Sequence, residues 1–230
     1  MTIRWLAATL VIAAVTSCSV ATQQAAAVAP LPHATAPNVI LIVADDLGYG
    51  DLSAYGGRIA TPHIDALARS GIRYTSAYAT APICSPSRAG LLSGRFQGRF
   101  GFYFNLVGRD AGMPENETTI AEVAKQAGYR TAMIGKWHVG EGRGREPLDQ
   151  GFDSFFGFLG GATSYFPDGT PGLVTADTGA DELVTRARFP ILRNREVVDP
   201  GGNITDVFTD EAIKFIDAGR QQPFFLYLAY

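Results

Sequence analysis

Cys84-Ser85-Pro86-Ser87-Arg88-Ala89-Gly90-Leu91-Leu92-Ser93-Gly94-Arg95 is the stretch of this chain in which residue type and spacing most constrain chemistry. A cysteine stands directly before a proline-bearing helix start and an arginine follows one turn later, so thiol and guanidinium share a helix face. Core packing asks for no such pairing. A lone cysteine is ordinarily a small buried hydrophobe, and a first-turn arginine ordinarily reaches solvent. Asp45-Asp46 adds adjacent carboxylates, which either form a turn or cap or need a cation to neutralise them. Lys136 and His138, separated by Trp137, lie on one side of an extended segment. Taken without Cys84, that pair reads as a solvated strand-end lysine and a satisfied histidine.

The surrounding elements bring these groups together. Asn38-Val39-Ile40-Leu41-Ile42-Val43-Ala44 is a continuous β-branched and apolar run, the pattern of a strand buried on both faces in a parallel sheet, and it ends on Asp45-Asp46. Thr61 as N-cap, Pro62 at the first position and Gly71 as terminator predict a helix between them. Residues 72–79 read as a strand leading into the Cys84 turn and its helix. Thr119 and Glu122 predict a capping box for a helix with Ile120, Val123, Ala124 and Ala127 on one face, stopped by Gly128. The strand that follows from Tyr129 delivers Gly135-Lys136-Trp137-His138. Thr205 is the expected cap of a helix carrying Phe208, Ala212, Phe215 and Ile216, and Phe224-Phe225-Leu226-Tyr227-Leu228-Ala229-Tyr230 reads as another buried strand.

Strands alternating with helices predict an α/β fold with a mostly parallel central sheet flanked by helices. Ligands in such folds gather beyond the carboxyl ends of the strands, so Asp45, Asp46, Lys136 and His138 converge on one rim. Residues 151–161, rich in glycine with interleaved phenylalanine and leucine, read as a loop packing beside that rim. Residues 167–199 read as an irregular polar surface excursion.

The 230 residues are 47% hydrophobic and 18% charged, enough apolar material for a substantial core. A formal net charge of -3 gives no basic footprint and argues against a nucleic-acid partner. Residues 1–18 read as an export signal: Arg4 supplies the positive charge, and residues 6–15 are apolar but too short to span a membrane. Val15-Thr16-Ser17-Cys18 resembles a bacterial lipobox, which would lipidate Cys18; the competing reading is cleavage after Ala27. Residues 19–37, mostly Ala, Gln, Thr and Pro, read as a flexible tether. Losing or lipidating Cys18 leaves Cys84 as an unpaired thiol with no disulfide framework, a liability in an oxidising compartment unless it is used or modified. A hydrophobic strand at the C-terminus with no helix after it suggests a fragment.

The Cys84 stretch resembles the signature of the sulfatases, C-x-P-S-R followed by a small and apolar run and a closing G-R. Gly135-Lys136-Trp137-His138-Val139-Gly140 resembles the family's G-K-W-H-x-G element, and the likeness extends to the strand ending on Asp45-Asp46 and the Thr61-Pro62 helix. Ser93 departs from the threonine common at its place. Residues 38–230 therefore look like the N-terminal part of a sulfatase catalytic domain.

The resemblance implies that a formylglycine-generating maturation enzyme oxidises Cys84 to formylglycine, whose aldehyde hydrate is the nucleophile. It implies a divalent cation, calcium or alternatively magnesium, bound by Asp45, Asp46 and a formylglycine oxygen at Cys84, with further ligands and a leaving-group histidine beyond Tyr230. Arg88 would hold the hydrate or a sulfate oxygen, Lys136 would contact sulfate and nucleophile, and His138 would handle the hydrate proton. Such cations suit a reaction that piles negative charge onto an already anionic ester. Backbone N–H groups at the start of the Cys84 helix are expected to help bind the anion. His33 and His63 match no family element, and Trp137 reads as a packing residue.

The expected substrate is a sulfated small molecule or glycan. The expected location is the periplasm or cell surface, touching the membrane only through a lipid on Cys18, with secretion as the alternative. Two rival readings stand beside the sulfatase one. The first is a phosphonate or phosphodiester hydrolase of the same alkaline-phosphatase-like superfamily; the second is an inactive truncated chain that at most binds sulfated ligands.

Overall fold

The computed structural model describes residues 36–105, 111–166, 189–219 and 221–230. The expected export signal, almost all of the tether, Cys18 and His33 lie outside the described residues. Among the described residues no helix is long and apolar enough to cross a membrane.

In chain order the main elements are β1 (Val39–Val43), α1 (Pro62–Ser70), α2 (Cys84–Ser93), α3 (Ile120–Gln126), β2 (Arg130–Lys136), β3 (Ser154–Phe158), β4 (Leu192–Arg193), β5 (Glu196–Val197), α4 (Ile204–Asp217) and β6 (Phe224–Ala229). The strands form one mixed sheet in the order β1-β6-β2-β3-β4-β5. The first four run parallel, and β4 and β5 complete it as an antiparallel hairpin.

β6 shows why the sheet sits at the centre. Its alternate side chains enter two different cores: Phe225, Tyr227 and Ala229 pack with Ala89 and Leu92 of α2, Ala121 of α3, Met133 and Phe155. Phe224, Leu226 and Leu228 pack with Ile204, Phe208 and Ala212 of α4. A strand buried on both faces needs such a continuous apolar run, and the period of two sorts it between the layers. The expected α/β architecture with flanking helices is therefore present.

Several local expectations change. β1 is not buried on both faces: Ile40 and Ile42 are 45% and 57% exposed. They share the face of Leu226 and Leu228, their register partners, but α4 lies over β2, β3 and β6, so among the described residues nothing covers them. Residues 72–79 form no strand, and Ile72, Tyr74 and Tyr78 are exposed. Side-chain type permits extension there, but among the described residues no neighbouring edge pairs with the segment, and pairing decides strand formation. It is held instead by the Tyr55 hydroxyl, which donates to the Tyr74 carbonyl at 2.9 Å, and by Arg73 lying over the Tyr55 ring.

Residues 151–161 are not a loop: they contain β3, whose Phe155, Phe156 and Phe158 are buried. A Cβ at Gly157 would overlap the Gly135 carbonyl oxygen of β2, so the glycine that suggested a loop is what lets the two strands approach. Of the polar excursion expected at 167–199, residues 189–199 are described and contribute the β4–β5 hairpin. The α4 cap is Asn203, whose side-chain oxygen accepts from the Thr205 N–H at 2.9 Å; Thr205 itself lies in the first turn. Thr61 precedes α1 without capping it and instead donates its hydroxyl to Asp65 at 3.1 Å. The Thr119–Glu122 capping box of α3 forms as expected, with bonds of 3.1 and 2.7 Å.

Candidate active site

α2 begins at Cys84 because Ile83 is extended and Pro86 fits the first turn, where its missing N–H costs nothing; Gly94, in the left-handed region, ends it. The helix presents Ser85, Arg88, Ala89 and Leu92 to the sheet, all buried. Arg88 is carried to the ends of β1 and β2, only 3% exposed. There its Nη2 pairs with Asp45 Oδ1 at 3.1 Å, while Lys136 Nζ pairs with the other carboxylate oxygen at 2.6 Å. Arg88 Nη1 also donates to the Lys136 carbonyl at 2.6 Å and to the Tyr227 hydroxyl at 3.1 Å. One carboxylate thus holds two cations side by side.

The electrostatics follow from this packing. Burial pushes the Asp45 carboxyl up, but the hydrogen bonds and charges of Lys136 and Arg88 outweigh it and hold the group below the usual carboxylate range. Burial, reinforced by the charges of Lys136 and Arg88 against the opposing charge of Asp45, lowers His138 to about 4. The imidazole is therefore neutral at pH 7. Burial also raises the Tyr227 phenol, although Arg88 opposes it.

Cys84 is half-buried, and its thiol lies 3.6 Å from Asn105 Oδ1. The same oxygen accepts from the Ser85 N–H at 3.4 Å. Ser85 donates its hydroxyl to the His138 carbonyl at 2.7 Å, tying the helix start to the segment beyond β2. His138 is itself left-handed, with φ 57°, and its ring packs beside Gly161. Its Nδ1 is buried without a hydrogen-bond partner among the described residues.

Of the residues picked from sequence, Asp45, Arg88 and Lys136 form one directly bonded network, and Cys84 and His138 are joined to each other through Ser85. Asp46 stands apart: it is exposed, left-handed at φ 57°, and its carboxylate has no partner among the described residues. Trp137 is fully buried, edge-on to Phe152, as a packing residue. His63 is exposed and lies on α1, away from the chain segments that form the network. Of the N–H donors expected at the start of α2, Pro86 has none, Ser85 gives its own to Asn105, and Ser87 gives its own to Ile83 at 3.2 Å, which leaves that of Cys84.

Sequence reasoning missed Tyr227, Ser85 and Asn105. Tyr227 was visible as the one polar tip on the inner face of an apolar run; Asn105 left no signal, since a separate loop brings it to Cys84.

Among the described residues no group of three or more His, Cys, Asp or Glu side chains is gathered as a metal site. The donor chemistry nevertheless suits a hard divalent cation in part. Asp46 has a free carboxylate next to Asp45, whose own two oxygens already accept from Arg88 and Lys136, so the pair supplies only part of the roughly six to eight oxygens that calcium takes.

The sequence model of the sulfatase family, described as Sulfatase, matches residues 37–230. The chain belongs to that family. It is 39% identical over 219 residues to the N-acetylgalactosamine-6-sulfatase of Mus musculus, covering 89% of this chain and 40% of that protein. It is 43% identical over 143 residues to the arylsulfatase of Klebsiella aerogenes, covering 59% and 31%. The chain thus spans about 40% of the length of the first of these relatives. Among solved structures, Ps i-CgsB in complex with k-i-k-neocarrahexaose matches with a TM-score of 0.73 and 40% identity, over 84% of this chain and 44% of that one. BT4656 in complex with its substrate D-Glucosamine-2-N, 6-O-disulfate matches with a TM-score of 0.65 and 30% identity, over 84% and 34%.

Proposed function

We propose that the protein containing this chain hydrolyses sulfate monoesters of carbohydrates, with Cys84 as the precursor of the nucleophile. The observation that carries this reading is the pairing of Arg88 and Lys136 on Asp45 at the rim where α2 places Cys84. Two cations fixed by one carboxylate are preorganised for an anion and need no rearrangement as charge develops.

The chain's own residues divide the work. Lys136 and Arg88 neutralise the sulfate oxygens, and Asp45 keeps the two cations from moving apart. His138, neutral at pH 7 and with Nδ1 unspent, can take up a proton there. Ser85 fixes the backbone from which that imidazole hangs. Formylglycine at Cys84 would supply a hydrated aldehyde, one hydroxyl to displace the alcohol from sulfur and a second whose collapse back to the aldehyde would break the C–O bond to sulfate and release it. A divalent cation, calcium or magnesium, would be held by Asp45 and Asp46 and would add fixed positive charge against the developing anion.

A glycan substrate is supported by the ligands of the two matching structures, neocarrahexaose and glucosamine disulfate. Maturation requires a formylglycine-generating enzyme as partner. Export to the periplasm or cell surface, with a lipid on Cys18 or as a secreted form, belongs to the same reading.

The test is a substrate panel of aryl sulfate, sulfated sugar and phosphodiester, run on the enzyme that contains this chain, produced together with a formylglycine-generating enzyme. Sulfate esters are expected to turn over best, and Cys84→Ala to fall to background. Preference for the phosphodiester, or full turnover by Cys84→Ala, would overturn the proposal.

A further inference from the structure

Tyr227 is the unexplained polar group of the site. Its neighbours along β6 are Phe225, Leu226, Leu228 and Ala229, and its ring stacks on Phe152 with centroids 6.4 Å apart. The side chain is fully buried. Packing alone would be served by phenylalanine, which avoids taking a hydroxyl out of water. The hydroxyl is there, and it accepts a hydrogen bond from Arg88 Nη1 at 3.1 Å.

That bond matters because of how the guanidinium is otherwise held. Nη1 also donates to the Lys136 carbonyl, and Nη2 is held by Asp45. Nε is buried and has no partner among the described residues. The fork is planar, so fixing both hydrogens of Nη1 fixes the plane in which the remaining donors lie. Without the Tyr227 hydroxyl the fork would keep the Lys136 carbonyl and Asp45, but one Nη1 hydrogen would be left unpaired in a buried place.

We infer that Tyr227 is a positioning residue of the reaction: its hydroxyl, with the Lys136 carbonyl, orients the Arg88 guanidinium so that the Nη2 hydrogen not spent on Asp45 is presented to the sulfate group. The inference rests on the sulfatase reading of the site. Tyr227 touches neither substrate nor nucleophile and acts through Arg88.

The experiment is a double-substitution cycle in the matured enzyme, comparing wild type, Tyr227→Phe, Arg88→Lys and the double variant. Aryl sulfate turnover, binding of inorganic sulfate by calorimetry, and the melting temperature are measured for each. A hydrogen bond to a charged group contributes enough that Tyr227→Phe should lower kcat/KM by about 10- to 100-fold and weaken sulfate binding. The melting temperature should move by no more than about 4 °C. In the Arg88→Lys background the same substitution should cost less than about twofold, because residues acting through one another do not add.

Independent, additive losses in the two backgrounds would overturn the inference, as would unchanged turnover and sulfate binding in Tyr227→Phe. A large fall in melting temperature with the activity loss persisting in the Arg88→Lys background would also overturn it, by showing a packing role only. A wild-type protein that binds sulfate, loses that binding in Tyr227→Phe, yet cleaves no sulfate ester would sink the sulfatase reading and leave the Tyr227–Arg88 coupling standing.

Discussion

Lys136→Met is expected to lower turnover of an aryl sulfate by about 100- to 1,000-fold, the loss that follows removal of one preorganised charge-stabilising donor. Lys136 is almost fully buried, and among the described residues its ammonium has one partner, Asp45 Oδ2. Methionine preserves most of the stem's volume, so the change isolates the charge. The same substitution has a second readout at His138. The Lys136 charge, after burial, is the next cause holding that imidazole at about 4. Without it His138 should titrate higher, and the acid limb of the activity profile should move to higher pH with it.

The linkage sign is fixed by the same shift. Folded His138 binds its proton less tightly than the unfolded chain, whose histidines titrate near 6.5. Its stabilising contribution is complete above the unfolded value and is lost as pH falls from there toward about 4. NMR titration of the imidazole in wild type and Lys136→Met measures both points. An imidazole titrating at its ordinary value in both proteins, or a variant with wild-type turnover, would contradict this electrostatic picture.

Gly135→Ala should be the most destabilising single substitution in the central sheet. Gly135 lies between β6 and β3 in register with Ala229 and Gly157, and its φ of 107° is one that side-chain-bearing residues rarely adopt. A Cβ there would overlap the Ala229 carbonyl oxygen. The neighbour is backbone inside a parallel ladder and cannot swing aside. Conformational strain and the forced separation of β2 from β6 together should cost about 3 kcal/mol or more. Because Lys136 is the next residue, any relief would shift its carbonyl away from Arg88 and disturb the site as well. Denaturant unfolding measures the loss against Gly50→Ala, where nothing lies within 4 Å of the added carbon and a change within about 0.5 kcal/mol is expected. Equal stability of the two variants would refute the close approach.

Local chemistry made much of this legible. The Thr119–Glu122 box and the placement of Pro62 depend on residues a few positions apart, and both helices stand where the sequence puts them. Asp45 and Lys136 were found because parallel strands deliver their carboxyl ends to one rim. What failed depended on partners distant in the chain. Residues 72–79 have the side chains of a strand but, among the described residues, no edge to pair with, whereas β3 hides in a glycine-rich segment because its glycine meets another glycine across the ladder. Ile40 and Ile42 were expected to be buried on apolarity alone, but coverage depends on where α4 lies. Tyr227 is the clearest case in the site: its run reads as core, and only the arrival of Arg88 from a residue far earlier in the chain gives its hydroxyl a purpose.

The central claim is that Cys84 is the precursor of the working group, and mass spectrometry of the peptide containing it tests this most directly. The protein is produced with and without a formylglycine-generating enzyme, and the peptide mass is compared with turnover of an aryl sulfate. The account predicts the aldehyde in place of the thiol when the maturation enzyme is present, with activity rising in step with the converted fraction. An unmodified thiol under that condition, or turnover independent of conversion, would contradict it.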